Sequence, residues 1–409
     1  MSVRSDAQVI INAALAACRP DAAVRRALEG RAFPGPVHLV AVGKAAWQMA
    51  ACAAEVLGPR LKEGVVVTKY GHGMGPIPNC TVWEGGHPVP DENSFRGTRA
   101  AMELAEGLGE KDTVVFLVSG GGSALFESPL IPAEELAAVT QALLAGGADI
   151  VEMNIVRKRL SAVKGGRFAQ LCAPAQVFAV VLSDILGDPL DMIASGPACP
   201  DSSTCAQALA VAEKYHLPLS AQASALLERE TPKALDNVET VITGSVRELC
   251  AAAAEACRAL GYEPLVLTDR LCCEAREAGS FLASIAKSHQ DAERSLAFLA
   301  GGETVVHLTG DGLGGRNQEL ALAAAPGIAG MADTAVFSLG SDGTDGPTDA
   351  AGGLVDGGTL DRLRAAGLSV HDVLRRNDAY HALAAVDGLI RTGPTGTNVN
   401  DVSVVLLRR

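Results

Sequence analysis

The sequence is poor in several features, and each shortage closes a class of function. No stretch reaches the ~18 consecutive apolar residues of a membrane-spanning helix, so no membrane partner is expected. The first residues carry Arg4, Asp6, Arg19, Asp21, Arg25 and Arg26, which leaves no room for the apolar core of a secretory signal. The ten cysteines show no Cys-x-x-Cys spacing, and Cys272–Cys273 is an adjacent pair. That usage suits reduced thiols in a cytoplasmic protein better than a zinc site or a disulfide framework. A basic stripe is missing too: Lys+Arg number 34 against 47 Asp+Glu, a net charge of −13. Nucleic acid is therefore not an expected partner, and an anionic substrate would need local cationic capture. Aromatics make up only 4%.

What is present is apolar residues at 48%, 44 glycines and a length of 409. That length exceeds one ordinary core and predicts two domains, with the division placed at 236/237 in the polar stretch that follows Glu228. A helix is expected over 6–29. Short, wholly apolar, β-branched runs are expected to be strands: His38–Val42, Gly64–Thr68, Thr113–Val118, Val177–Leu182, Glu239–Ile242, Pro264–Leu267, Thr304–Leu308, Ala335–Leu339 and Val402–Leu407. They alternate with helical patterns such as Ala45–Leu57. This is the signature of strands buried on both faces of mostly parallel, Rossmann-like α/β sheets flanked by helices. Nearly every such strand ends in Gly, Ser, Thr or Asp, which is where open α/β sheets bind ligands. Loops of this kind in both halves predict an active-site cleft between the two domains.

The loops differ in specificity. Ser119-Gly120-Gly121-Gly122-Ser123 is the strongest anion cradle, because successive glycines let amides wrap an anion without Cβ obstruction. It is not a Walker A loop, and neither is Val42-Gly43-Lys44, since His38 stands where the first glycine belongs. Lys44 nonetheless follows a strand and opens a helix. It suits a cation over a phosphate as well as it suits a solvated lysine. Arg157, Lys158, Arg159, Lys164 and Arg167 form the densest basic cluster, readable as a solvated helix face or as anion capture. Asp184, at a strand end, suits a general base or a metal ligand. Gly310-Asp311-Gly312-Leu313-Gly314-Gly315 fits Gly-x-Gly-x-x-Gly, a weak dinucleotide fingerprint, although Asp311 would repel a bare pyrophosphate and Arg316 stands at the helix start. Asp342 and Asp345 lie in a run dense in carboxylates and hydroxyls that suits Mg²⁺ or a polyol. Thr395 and Asn398 belong to a polar loop before the last strand. His72 and His87 sit in Gly-rich loops without metal or triad spacing, which favours structural roles.

Taken in order, these segments resemble the class II glycerate kinases, the family with a distinctive leucine-rich C-terminal domain, here at about 300–405. The matching pieces include Ala41-Val42-Gly43-Lys44-Ala45, Gly86-His87-Pro88-Val89-Pro90-Asp91, Ser119–Ser123, Asn154-Ile155-Val156-Arg157-Lys158 and Leu182-Ser183-Asp184. They continue with Ser195-Gly196-Pro197, Gly314–Glu319, Ser341–Gly346 and Thr395–Asp401. The resemblance implies ATP- and Mg²⁺-dependent phosphorylation of D-glycerate, giving 2-phosphoglycerate, by two α/β domains around a cleft; a monomer or homodimer is expected. Under the resemblance, Lys44 and Arg316 stabilise the transferring phosphoryl group; Asp184 is the candidate base for the glycerate hydroxyl or else a Mg²⁺ ligand. Ser119, Gly120, Gly121, Gly122, Ser123, Asn154, Lys158, Asp311, Asn317, Thr395 and Asn398 bind substrate or nucleotide, and Asp342 and Asp345 are metal candidates. Two rivals remain at this stage: an NAD(P)H-dependent hydroxypyruvate reductase, the label such proteins often carry, and a non-catalytic sugar-acid sensor.

Overall fold

The computed structural model describes residues 2–409. The chain forms two compact units, residues 23–243 and residues 1–22 with 244–409. The expected division at 236/237 falls just before the last strand of the first sheet. The N-terminal helix Val3–Ala17 belongs with the C-terminal half. Residues 6–29 are not one helix: Val3–Ala17 ends and Pro20–Leu28 begins anew. Proline lacks an amide proton and crowds the preceding turn, so it is tolerated only at a helix start.

The twelve strands are β1 (Val37–Val42), β2 (Leu61–Lys69), β3 (Cys80–Gly85), β4 (Thr113–Val118), β5 (Gln176–Leu182), β6 (Val238–Gly244), β7 (Glu263–Leu271), β8 (Leu296–Gly302), β9 (Thr334–Gly340), β10 (Gly352–Asp356), β11 (Leu389–Ile390) and β12 (Asp401–Leu407). The first sheet has the order β3-β2-β1-β4-β5-β6, and β3, β2, β1, β4 and β5 pair in parallel throughout. Every residue of β1 and β4 is buried. Leu39, Ala41, Val115 and Leu117 feed one core, while Val40, Val42, Val114 and Phe116 feed the other. Each of the valine, leucine and phenylalanine side chains among them contributes about 1.5–3 kcal/mol by leaving water. A satellite core forms where the helices Ala133–Ala145, Ile150–Arg159, Cys205–Lys214 and Ala221–Leu227 pack together.

The second sheet has the order β11-β10-β9-β12-β8-β7. Here β7 and β8 are parallel, but β12 runs antiparallel to both β8 and β9, as β10 does to β9 and β11. The α/β class holds, with the parallel character concentrated in the first sheet. Thr304–Leu308 is not a strand. It is an irregular segment with one isolated bridge, Glu274 to Val305, and Leu308 is 81% exposed. The strand is β8, Leu-Ala-Phe-Leu-Ala-Gly-Gly, which has no β-branched residue and so gave little propensity signal. Tertiary burial overrides that propensity.

Candidate active site

In the first sheet the chain order reverses between β1 and β4, and the loops leaving those neighbouring strands diverge. That is the topological switch point where such sheets bind ligands. The two loops are bolted together. The Lys44 amide donates to the Gly120 carbonyl at 2.9 Å, and the Ser119 hydroxyl accepts from the Ala45 amide at 3.1 Å and donates to the Val42 carbonyl. Ser119 is therefore a buried bracket rather than a ligand contact. Gly43 has φ +114°, and a Cβ there would collide with Ser119. Gly122 is also buried, and a Cβ on it would lie 2.6 Å from that of Ala194. This leaves Gly120 and Gly121 as the open part of the cradle. Their amides donate to no protein acceptor among the described residues.

Three side chains close on those two glycines. A Cβ on Gly120 would run into the Asp184 carboxylate, and one on Gly121 would meet the His87 ring at 3.0 Å and Lys44 Cγ at 3.2 Å. Lys44 is half-buried, and its ammonium pairs with no carboxylate among the described residues. In a chain of net charge −13, a half-buried, unspent cation is a cost unless a ligand anion uses it. His87 stands in a positive field: burial, then Lys44, Lys69 and His72, hold its imidazole pKa below the ordinary value. His72 contacts the Lys44 carbonyl through Nδ1 at 2.9 Å. The expectation of structural roles for these histidines missed this grouping. The one available signal was that both sit in Gly-flanked loops after strands of the sheet that carries Lys44.

The basic cluster is neither a solvated face nor an anion trap. The helix Ile150–Arg159, started by the Asp149–Glu152 capping box, ends before Lys164. Lys158 binds Asp201 at 3.1 Å and Asp191 at 3.3 Å. Arg159 meets Asp201, Ser203 and Glu230. Arg167 caps the carbonyls of Lys158, Arg159 and Ser161. Lys158, expected to bind substrate, is thus buried with its charge matched internally. Lys164 and Arg157 both donate to the Ser123 carbonyl. Asn154, also expected to bind substrate, is buried; its Oδ1 accepts from Ser195, whose hydroxyl lies 3.1 Å from that of Ser123. Ala194 and Ser195 hold φ of 50° and 62°, a left-handed conformation that costs on the order of 1–3 kcal/mol in a non-glycine residue. Asn154 and Ser195 together support the cradle from behind.

In the other unit, Glu303 after β8, Gly340–Asp342 after β9 and Asp401 at the start of β12 gather at one end of the sheet, because β12 is antiparallel to its neighbours. Arg316, first residue of the helix Arg316–Ala324, forks onto Asp401 at 2.6 and 3.0 Å and reaches Glu303 at 2.9 Å. Burial works to lower its pKa, but Asp401 and Glu303 raise it above the ordinary value. Asp345, expected as a metal ligand, instead caps this helix: its oxygens accept from the amides of Asn317 and Gln318 at 3.1 and 2.8 Å. Asn317, expected to bind ligand, is buried and accepts from Ser338, which in turn contacts Ser403. Asp342 is half-buried and its Oδ1 accepts from the Thr344 amide. Thr395 donates to the Ser341 carbonyl, while Asn398 and Asp311 are exposed.

Burial pushes the Asp345 carboxyl up to about 6, against the pull of the helix amides. Its ordinary value is 3.8, so its stabilising effect is greatest at low pH and is lost as pH rises through that window. The stability difference between wild type and Asp345→Asn should therefore shrink from pH 4 to pH 6.5. Urea melts at a series of pH values check this, and a difference that stays flat or grows would refute it.

The dinucleotide fingerprint loses its structural context. Gly310–Gly315 does not join a strand directly to a helix. The Thr309 and Gly310 amides donate to Asn377 Oδ1, and Gly312 donates to the Arg376 carbonyl. Gly310 and Gly312 are small because that backbone lies against them. Asn377, buried at φ +55°, carries this latch. No sequence signal marked it, nor Glu303. Among the described residues no His/Cys/Asp/Glu group is arranged to hold a metal, and no helix is long and apolar enough to cross a membrane.

A family model described as a domain of unknown function, DUF4147, matches residues 6–228, and that of the MOFRL family matches 296–401. The chain is 52% identical to D-glycerate 2-kinase of Thermotoga maritima, over 99% of each chain. It is 41% identical to a putative hydroxypyruvate reductase of Agrobacterium vitis, over 100% of this chain and 95% of the other. A crystal structure of glycerate kinase from Thermotoga maritima superimposes with a TM-score of 0.95 at 51% identity, covering 98% of this chain and 99% of that one.

Proposed function

We propose, from the premise that this chain belongs to the class II glycerate kinase family, that it transfers the terminal phosphoryl group of ATP to the 2-hydroxyl of D-glycerate. The observation that carries this reading is the 52% identity to a D-glycerate 2-kinase over 99% of both chains. It leaves no domain of either protein unmatched. The switch-point cradle in the first sheet, with its unspent Lys44, supports the reading independently.

Phosphoryl transfer asks the protein mainly for positioning and charge neutralisation. The substrate hydroxyl oxygen bonds to the γ-phosphorus while the bond to the β,γ-bridging oxygen breaks, and ADP carries the electron pair away. The hydroxyl proton goes to Asp184, whose carboxylate stands against Gly120. Lys44 offsets negative charge on the transferring group, and the Gly120 and Gly121 amides hold anionic oxygens. Arg316, the other cation that the family resemblance assigns to the transferring phosphoryl group, has its charge matched by Asp401 and Glu303. Magnesium would enter as an ion carried in by ATP; of the two carboxylates expected to hold it, Asp345 has both oxygens serving the helix amides and Asp342 accepts only from the Thr344 amide. Mg²⁺ takes one or two carboxylates plus substrate phosphates and supplies charge neutralisation when bound.

Purified protein supplied with D-glycerate, ATP and Mg²⁺ should release ADP and form 2-phosphoglycerate, with the product's phosphorylated carbon assigned by phosphorus NMR. A parallel reaction with hydroxypyruvate and NADH should show no oxidation of NADH. NADH oxidation without ADP release would overturn the kinase reading in favour of the reductase.

A further inference from the structure

The grouping of His87 with Lys44 at the Gly120–Gly121 turn goes beyond phosphate capture. We infer that His87 is a ligand for the carboxylate of the hydroxy-acid substrate, and that the acid's 2-hydroxyl is thereby directed toward Asp184. The inference rests on the glycerate kinase reading and deepens it.

The argument is one of spacing and charge. Gly120 and Gly121 are successive residues. A Cβ on the first would run into the Asp184 carboxylate, and one on the second would meet the His87 ring at 3.0 Å and Lys44 Cγ at 3.2 Å. A carboxylate and an imidazole thus stand about one residue apart along a turn whose amides are unused, with the Lys44 stem beside the imidazole. A 2-hydroxy acid has the same order of groups, with its hydroxyl on the carbon next to its carboxylate. Placed with the carboxylate on the His87–Lys44 side, it sets the hydroxyl beside Asp184. The reverse placement would set two carboxylates against each other, which is repulsive.

The surroundings agree. Lys44, Lys69 and His72 are the charged neighbours that bear on the His87 ring. Neither lysine forms an ion pair among the described residues, and the His72 ring contacts the Lys44 carbonyl. Lys44 and Lys69 thus lend positive charge to the His87 side of the turn, in a protein of net charge −13. A neutral imidazole held beside lysines is also a good hydrogen-bond donor to a carboxylate, and it does not crowd that side with a further positive charge before substrate arrives.

Steady-state kinetics of His87→Gln and His87→Ala test the inference, with KM measured separately for D-glycerate and for ATP. The expected result is a KM for D-glycerate raised by about ten-fold or more, with KM for ATP within two-fold of wild type and kcat reduced less than KM is raised. Competition by lactate, which has the same carboxylate and 2-hydroxyl but lacks the 3-hydroxyl, should weaken in parallel. An unchanged KM for D-glycerate overturns the inference. So does a rise confined to KM for ATP, which would make that side of the turn a nucleotide phosphate site. If alanine leaves an opening that unfolds the loop, the glutamine variant with its native melting temperature decides. The underlying kinase reading stands or falls separately on whether the wild type releases ADP with D-glycerate.

Discussion

Replacing Lys44 by alanine is expected to lower kcat for ADP release by about 10²-fold or more, the usual loss when one preorganised stabiliser of developing charge is removed. The expectation follows from how the chain's cations are disposed. Lys158 is held by Asp191 and Asp201, and Arg316 by Asp401 and Glu303. Lys44 alone among the expected site cations has no carboxylate partner among the described residues, and it stands at the β1/β4 switch point with its backbone bolted to Gly120. Its removal breaks no ion pair, so the melting temperature should stay within a few degrees of wild type while turnover collapses. Turnover within a few-fold of wild type would take Lys44 out of the mechanism.

The second large effect concerns stability. Glu127 and Lys164 are fully buried and 3.3 Å apart, and the Glu127 oxygens have no hydrogen-bond partner. Burial pushes the Lys164 ammonium down to about 8, while Glu127 acts to hold it up. Lys164→Met strands the Glu127 charge, with only Arg157 at 4.0 Å to answer it. Breaking a buried pair in this way costs about 3–5 kcal/mol, so Lys164→Met and Glu127→Leu should each lose that much in urea unfolding. The double variant should lose well under the sum, since neither charge is then left alone. Additive losses would show that the pair is not coupled. Lys164 also holds the Ser123 carbonyl at the end of the cradle, so the single variant is expected to loosen the site as well as the core.

Much of the fold was legible because strands buried on both faces are almost uniformly apolar. β1, β4, β5, β9 and β12 lie within a residue of the runs that predict them. Where local propensity and burial disagree, burial prevailed: β8 has no β-branched residue and is an interior strand of its sheet, while Thr304–Leu308 begins with three β-branched residues in succession and is a mostly exposed loop. Within the site, the strand-end loops were legible and their division of labour was not. Lys44, Gly120, Gly121 and Asp184 come together as expected. Ser119, Gly122, Asn154, Lys158, Asn317 and Asp345 stand in or beside the right loops yet spend their polar groups on the protein itself.

The sequence by itself determined the α/β class, the family and the set of strand-end loops, because these depend on residue type in order along the chain. Only the tertiary structure decided which polar side chains remain available to a ligand. Availability depends on whether a partner from a distant segment has already met the group: Asp191 and Asp201 for Lys158, the helix amides for Asp345, and no carboxylate for Lys44. The order of residues does not encode that pairing locally. Burying a charge or a hydrogen-bonding group requires it, and the folded chain satisfies the requirement wherever its segments converge.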